Sequence, residues 1–217
     1  MENTRRMLLV GIVMPIFYFI VLYGFALINP DYNSFTQFPS EIGAIGAPYR
    51  YGNIFNICVI ITGMMGVVAG VGLYRGMIDL RLSALFAVIS ALTLIMPSIN
   101  MIMSGVFPLP HDYHSLLEVI FPVFFAPLMA GLIAKKLEKS KAVIWLLYLC
   151  FPVNIVIFAG VPGLGEYLPL SMVGFWARVW VTIIMVISGY LCWLVLEKIK
   201  NSIKFDPSSM TDKVTNN

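Results

Sequence analysis

Residues 53–74 read NIFNICVIITGMMGVVAGVGLY, an apolar run without a charged side chain. A helix needs about 20 such residues to cross the roughly 30 Å hydrocarbon layer of a bilayer, because each backbone N–H and C=O must find its partner inside the segment. Gly63, Gly66 and Gly70 form a stripe of small residues that predicts close contact with a neighbouring helix. The stretch therefore predicts a transmembrane helix.

Five further long, mostly apolar runs lie before and after it in the sequence. Hydrophobic residues make up 59% of the chain and charged residues 12%, whereas soluble domains carry about 25% charged residues. That composition excludes a water-soluble fold. We expect an all-α polytopic membrane protein in which residues 1–200 form a single bundle of six transmembrane helices, followed by a disordered tail at 201–217. The predicted spans are 7–28, 53–74, 82–105, 115–134, 142–161 and 175–196.

The basic residues fall on alternate connections between these spans. Twelve of the fourteen precede the first span, lie in the second-to-third and fourth-to-fifth connections, or follow the sixth: Arg5, Arg6, Arg75, Arg81, Lys135, Lys136, Lys139, Lys141, Lys198, Lys200, Lys204 and Lys213. Arg50 and Arg178 are left on the other side. Because cytoplasmic loops are rich in Lys and Arg, we expect a cell-membrane protein with both termini in the cytoplasm. Basic loops also contact anionic lipid headgroups, so no nucleic-acid partner is expected.

The first predicted outer loop, residues 29–52, contains PSEIGAIGAPY at 39–49. Its glycines and short apolar stretch predict a small helix or turn at the membrane interface. One interpretation is an interfacial anchor, with Tyr49 and Tyr51 in the aromatic belt. The alternative is that Ser40 or Glu41 points into a cavity between the spans.

A second group of polar residues leads into the predicted fourth span. If the segment HDYHSLLE at 111–118 is helical, His111, His114 and Glu118 share one face. That spacing suits a metal ion, or a carboxylate that orients an imidazole. Pro110 and Asp112 suit a helix start that would leave His111 outside, and two histidines cannot build a three-histidine zinc site. A catalytic or ligand-binding imidazole and an interfacial hydrogen-bonded histidine therefore stay open beside the weak metal interpretation.

Other polar residues are expected inside the spans. Glu118 and Arg178 would lie just below the outer surface, where a charge is costly unless it is paired or reaches water. They could pair, either at a site or merely to pin two helices, and Arg178 could instead reach up to the headgroups. The remaining polar residues could satisfy helix carbonyls or line an outer vestibule: Asn53, Asn56, Ser98, Asn100 and Asn154. The abundant methionines are expected to pack rather than to bind a cofactor, and no cofactor is predicted.

Four short segments resemble a known family. They are Ser40-Glu-Ile-Gly-Ala-Ile-Gly-Ala-Pro48, Asn53 with Gly63, Gly105-Val-Phe-Pro108 with His114, and Gly174-Phe-Trp-Ala-Arg178. In this order they resemble the DUF998 family of six-span membrane proteins of bacteria and archaea, whose activity is undefined. The resemblance implies one outward-facing set: Ser40, Glu41, Asn53, His114 and Arg178. Ala177 departs from the family pattern, in which Glu or Gln is expected, and His111 lies outside the likeness.

The leading functional hypothesis is that the bundle binds a lipid or another amphiphile in an outward-facing polar pocket formed by that set together with Glu118. An alternative is an intramembrane hydrolase or transferase, with His114 as base, Ser40 as nucleophile, and Glu41 or Glu118 orienting the imidazole. A third is a non-catalytic subunit of a larger membrane complex. A transporter ranks last, because no charged residue is predicted at mid-membrane depth. Whether the protein is an enzyme is left open.

Overall fold

The computed structural model describes residues 1–114, 124–160 and 168–204. This part of the chain is helical, with loops and turns and no strand. Its helices are α1 (Glu2–Ile28), α2 (Gly52–Asp79), α3 (Ala84–Val106), α4 (Ala126–Lys136), α5 (Lys141–Gly160) and α6 (Val173–Lys204). Two short 3-10 helices lie at Pro39–Gly43 and Leu170–Met172. The first of them occupies the position where the sequence predicted a small helix or turn.

Five of the six predicted spans are confirmed as helices long and apolar enough to cross a membrane: α1, α2, α3, α5 and α6. Their ends differ from the predicted ends by up to eight residues, most of all at the end of α6. For example, α3 begins at Ala84 rather than at residue 82, because Ser83 caps it by accepting a hydrogen bond from the Phe86 amide at 3.4 Å. Helix α6 runs to Lys204, four residues into the predicted tail, and residues 205–217 lie outside the described residues.

The predicted fourth span, 115–134, is described only in its second half. Residues 115–123, which include Glu118, lie outside the described residues. Helix α4 covers 11 residues, which is roughly 16 Å at 1.5 Å per residue and too short to cross the bilayer by itself.

Among the described helices, α2 and α3 share the most extensive contact. A Cβ added at Gly63 would lie 2.6 Å from the Ser98 carbonyl oxygen and 2.6 Å from Ile102, and one at Gly66 would overlap the Ser98 hydroxyl. The small-residue stripe therefore lies against a neighbouring helix, as the sequence predicted, and that helix is α3. Helix α1 packs on α2 and α6, and α4 packs on α5 and α6.

The two ends of the bundle differ in character. At one end, Met1, Arg81, Lys136, Lys198 and Ser202 line a common surface depression. We call this the terminal end, because the first residue and the last turns of α6 meet there. At the opposite end lie residues 29–51 and 107–114, which we call the loop end. The two segments are joined by a hydrogen bond from the Ile45 amide to the Leu109 carbonyl at 2.7 Å.

The α2–α3 contact yields a stability prediction. Replacing Gly63 by Ala should lower the free energy of unfolding by about 1–3 kcal/mol, because the added methyl group meets backbone that cannot move aside. Gly24→Ala is the matched control, since nothing lies within 4 Å of a Cβ at that helical position. It should be neutral or stabilising by up to about 1 kcal/mol. Thermal unfolding of both variants in the same detergent checks this, and equal stability would contradict the packing.

Candidate functional site

A cavity of about 230 Å³ opens at the loop end among five helices, α1, α2, α3, α5 and α6, of which α5 contributes Phe158. Most of its wall is apolar, with Tyr18 from α1, Val59 from α2, Met101 from α3 and Val181 from α6. It reaches down to Pro97 on α3, nine residues before Val106 ends that helix. At 1.5 Å per residue this depth is roughly 14 Å, about half of the hydrocarbon layer.

The roof of the cavity is the 3-10 helix Pro39–Gly43 with Phe38 before it. Ser40 lines the cavity from this roof. The buried Asn56 side chain on α2 holds the roof by donating to the Gly43 carbonyl at 2.8 Å, and a Cβ at Gly43 would overlap that amide. Glu41 accepts hydrogen bonds from the Phe38 amide at 2.7 Å and from the Gln37 side chain at 3.1 Å. Its carboxylate therefore stabilises the loop.

Arg178 joins this loop to α6. The residue is buried, with 7% of its surface exposed. Nη1 donates to the carbonyls of Ser34 at 2.6 Å, Gln37 at 3.0 Å and Gly174 at 2.8 Å, and Nη2 donates to the Tyr32 hydroxyl. Four neutral oxygens thus accept hydrogen bonds from Nη1 and Nη2, whereas Nε is buried without a partner among the described residues. The predicted partner Glu118 lies outside the described residues.

Of the four oxygens that accept from Arg178, one is the phenol oxygen of Tyr32. Burial raises its pKa above the usual range, and the neighbouring Arg178 charge opposes that shift only in part. The phenol therefore stays protonated at neutral pH. It accepts from Arg178 while donating to the Phe38 carbonyl at 2.9 Å.

Gly174 allows α6 to approach the loop so closely. A Cβ at this position would lie 2.7 Å from both the Gln37 nitrogen and the Ser34 carbonyl oxygen. Arg178 is one turn further along, on the same face of the helix. The spacing Gly174-x-x-x-Arg178 therefore places a residue without a side chain and a guanidinium against the same loop segment.

His114 lies at the side of the cavity and is 5% exposed. Its Nδ1 is 2.8 Å from the Phe107 carbonyl oxygen. Because a carbonyl only accepts, Nδ1 carries the proton in the neutral ring and the lone pair is on Nε2. Ser104 donates to the His114 carbonyl at 3.0 Å, which fixes the turn. Ser40 lines the same cavity, but the hydrogen bonds of the described residues do not include one between Ser40 and His114.

The two histidines are not brought together. Residues 111–114 form a turn rather than a helix, and His111 is exposed, with its ring 4.8 Å from that of Phe107 and 5.2 Å from that of Tyr113. Within the described ranges, no cluster of three His, Cys, Asp or Glu residues could hold a metal ion. Glu118, the third weak metal candidate, cannot be placed.

The residues of the predicted set thus lie in three different kinds of position. Ser40 and His114 line the cavity, whereas Glu41 and Arg178 hold its roof. Asn53 is exposed on the first turn of α2 and does not line this cavity.

Two residues of the cavity lining that were not part of the predicted set each carry a buried polar atom. Asn100 Oδ1 and Trp180 Nε1 are buried and have no hydrogen-bond partner among the described residues. Asn100 was expected at most in an outer vestibule, and Trp180 was not singled out. Helical spacing is the signal that could have found them, since Asn100 lies four residues before Ser104 and Trp180 three residues after Ala177.

The Arg178 contacts yield a prediction for loop dynamics. Arg178→Lys replaces a planar, multiply donating group with a compact ammonium. Losing even one hydrogen bond to the charged group, worth about 1.5–3 kcal/mol, should speed hydrogen–deuterium exchange of the Thr36 and Gln37 amides by about tenfold or more. Arg50→Lys is the control, because Arg50 is exposed and its hydrogen bonds to Asn29 come from its backbone. Equal exchange in the two variants would mean that Arg178 does not hold the loop.

Comparisons of the chain with protein-family models, with curated proteins and with solved structures found no match. The resemblance to the DUF998 family accordingly stays a prediction. Function is therefore inferred from the cavity and the side chains that surround it.

Proposed function

We propose that this chain is a six-span protein of the cell membrane that binds a lipid or another amphiphile in an outward-facing cavity. The observation that carries the proposal is a cavity with a mostly apolar wall and a few polar groups, reaching about halfway through a bundle of membrane-length helices. Such a lining suits a molecule with a polar head and an apolar chain.

A sixth crossing is supported by the positions of Phe107 and Leu137. Phe107 lies at the loop end beside His114, whereas Leu137 lines the depression at the terminal end. The chain between them passes from one end of the bundle to the other, and α4 forms the last part of that passage.

The orientation is supported by charge. Arg81, Lys136 and Lys198 meet at the terminal end beside Met1. Because Lys and Arg accumulate on the cytoplasmic side, the terminal end faces the cytoplasm in our proposal and the cavity faces outward.

Filling the cavity tests the proposal. Ala177 lines it, and Ala177→Phe should displace an occupant from the space that the added ring takes up. Val186→Phe is the matched control, because this residue of the same helix is exposed on the outer surface of the bundle. Lipid-resolved mass spectrometry of the purified proteins should find a bound species with the wild type and the control and a several-fold loss with Ala177→Phe. The same bound lipid in all three would contradict the proposal.

The second candidate is an intramembrane hydrolase or transferase. It is favoured by Ser40 and His114 lining one cavity and by the Phe107 carbonyl, which leaves the lone pair of the neutral His114 ring on Nε2. In such an enzyme Nε2 takes the proton of the Ser40 hydroxyl while Oγ attacks an ester carbonyl. The bond from the acyl carbon to the ester oxygen then breaks, the alcohol leaves with the proton from His114, and water or an acceptor hydroxyl releases the acyl group from Oγ. The non-catalytic subunit predicted from the sequence stays a prediction.

A serine-directed fluorophosphonate tests the second candidate. Covalent labelling of the wild type should be lost in Ser40→Ala and fall strongly in His114→Gln, because the base would be gone. Ser104→Ala is the control, since Ser104 also lines the cavity but donates to a backbone carbonyl. The absence of labelling in the wild type, or labelling that persists in Ser40→Ala, would contradict the hypothesis that Ser40 is the nucleophile of an enzyme.

A further inference from the structure

We infer that the depression at the terminal end binds the headgroup phosphate of an anionic phospholipid from the adjoining leaflet. The depression and the loop-end cavity lie at opposite ends of the bundle, so the inference does not depend on the proposed amphiphile site. It rests on three exposed basic residues that line one depression together with aliphatic side chains.

The three basic residues come from distant parts of the sequence. Arg81 lies in the connection between α2 and α3, Lys136 is the last residue of α4, and Lys198 lies near the end of α6. The general preference for Lys and Arg on the cytoplasmic side would be met by basic residues anywhere on that face. Here the fold places one from each of three elements around a single depression, which concentrates positive charge at one point.

An anion in the depression can reach these charges. Arg81, Lys136 and Lys198 are exposed, and the Lys136 ammonium lies 4.6 Å from the centroid of the Phe86 ring, a contact that leaves its charge in place. The depression has a volume of about 390 Å³. A sphere of that volume has a radius of about 4.5 Å, which is less than the Debye length of about 8 Å at physiological salt. A phosphate there is therefore attracted by all three side chains, whose long stems can turn toward it.

The rest of the described lining suits the glycerol end of a phospholipid. Four aliphatic residues line the same depression: Leu80, Leu82, Leu137 and Ile199. The glycerol unit and the first carbons of the acyl chains can pack against them. Asp79 is the carboxylate of this lining, and its Oδ2 accepts from the Thr4 hydroxyl of α1 at 3.5 Å. The three cations outweigh this carboxylate, which favours a negatively charged headgroup.

Cations near the C-terminal end of a helix also stabilise the helix dipole, which is the structural alternative to a binding site. The backbone at Arg81 separates the two explanations. Its φ is 58°, and the Leu82 amide donates to the Met77 carbonyl at 3.0 Å to close the end of α2. Helices that end in this way favour glycine at that residue, because a side chain is strained in the left-handed conformation. Arg81→Gly therefore removes the charge without removing what forms the turn.

Three probes test the inference on the full chain in detergent: dioleoylphosphatidylglycerol, which is anionic, dioleoylphosphatidylcholine, which has no net charge, and glycerol 3-phosphate, which has no acyl chain. Native mass spectrometry and thermal stabilisation measure the affinities. We expect phosphatidylglycerol to bind at least tenfold more tightly than either of the other probes, because each basic residue near the surface favours the anion. Its advantage over phosphatidylcholine should shrink between about 0.05 and about 0.5 M salt, because exposed charges are screened.

Three variants each remove one charge from the depression: Lys136→Gln, Lys198→Gln and Arg81→Gly. Each should weaken phosphatidylglycerol binding by about fivefold. Without lipid, Arg81→Gly should unfold at the same temperature as the wild type or at a higher one, because glycine adopts the left-handed conformation without strain. A purely structural role of Arg81 would lower that temperature and leave the affinity unchanged.

The chain supplies a matched control for each variant. Lys135 and Lys200 are exposed neighbours on the same two helices, and neither belongs to the lining of the depression. Glu138 has a φ of 55° at the end of α4 and also lies outside the lining, so Glu138→Gly matches the backbone change of Arg81→Gly. Lys135→Gln, Lys200→Gln and Glu138→Gly should not weaken binding by more than about twofold, because solvent screens more distant charges.

Four results would overturn the inference. They are equal binding of the two phospholipids, charge-removing variants that bind like their controls, glycerol 3-phosphate that binds as tightly as phosphatidylglycerol, and loss of phosphatidylglycerol in Ala177→Phe. The third would assign the depression to a soluble anion, and the fourth would place the lipid in the loop-end cavity. The proposed function fails separately, when Ala177→Phe retains every lipid that the wild type binds, because that variant changes only the loop-end cavity.

Discussion

The buried guanidinium of Arg178 is the constraint on which the loop end depends. A charge below the membrane surface is costly unless oxygens surround it, and here the oxygens belong to Tyr32, Ser34, Gln37 and Gly174. Hydrogen bonds from a charged donor are stronger than neutral ones. The hydrogen bonds of Nη1 and Nη2 therefore fix the path of the loop across α6, and that path places the 3-10 helix Pro39–Gly43 over the cavity.

The polar groups at the loop end differ in whether they have a hydrogen-bond partner. Those nearest the surface, Glu41 and Asn56, bind backbone groups and make a rigid roof. Those deeper in the bundle, Asn100 and Trp180, have no such partner within the described part of the chain. In a low-dielectric interior an unpartnered polar atom is a cost to the fold.

The sequence predicted the features that depend on composition and helical periodicity. These are five of the six predicted membrane-length helices, the close helix contact of Gly63 and Gly66, and the small helix or turn in the first loop. It could not predict the partners of Arg178, because backbone carbonyls belong to every residue type. Ser40 and His114 were predicted as part of one set and do line one cavity, whereas Asn53, grouped with them by the resemblance, is exposed. Trp180 escaped notice because an aromatic residue near a helix end is typical of any membrane protein.

The cavity is built from opposite ends of the polypeptide, since Tyr18 belongs to the first helix and Trp180 to the last. During synthesis the early helices enter the bilayer long before α6 leaves the ribosome. Until α6 is in place, the cavity lacks the residues that this helix contributes to its lining. The cavity is thus a property of the complete bundle, and a nascent chain that ends before α6 lacks the residues that close one side of it.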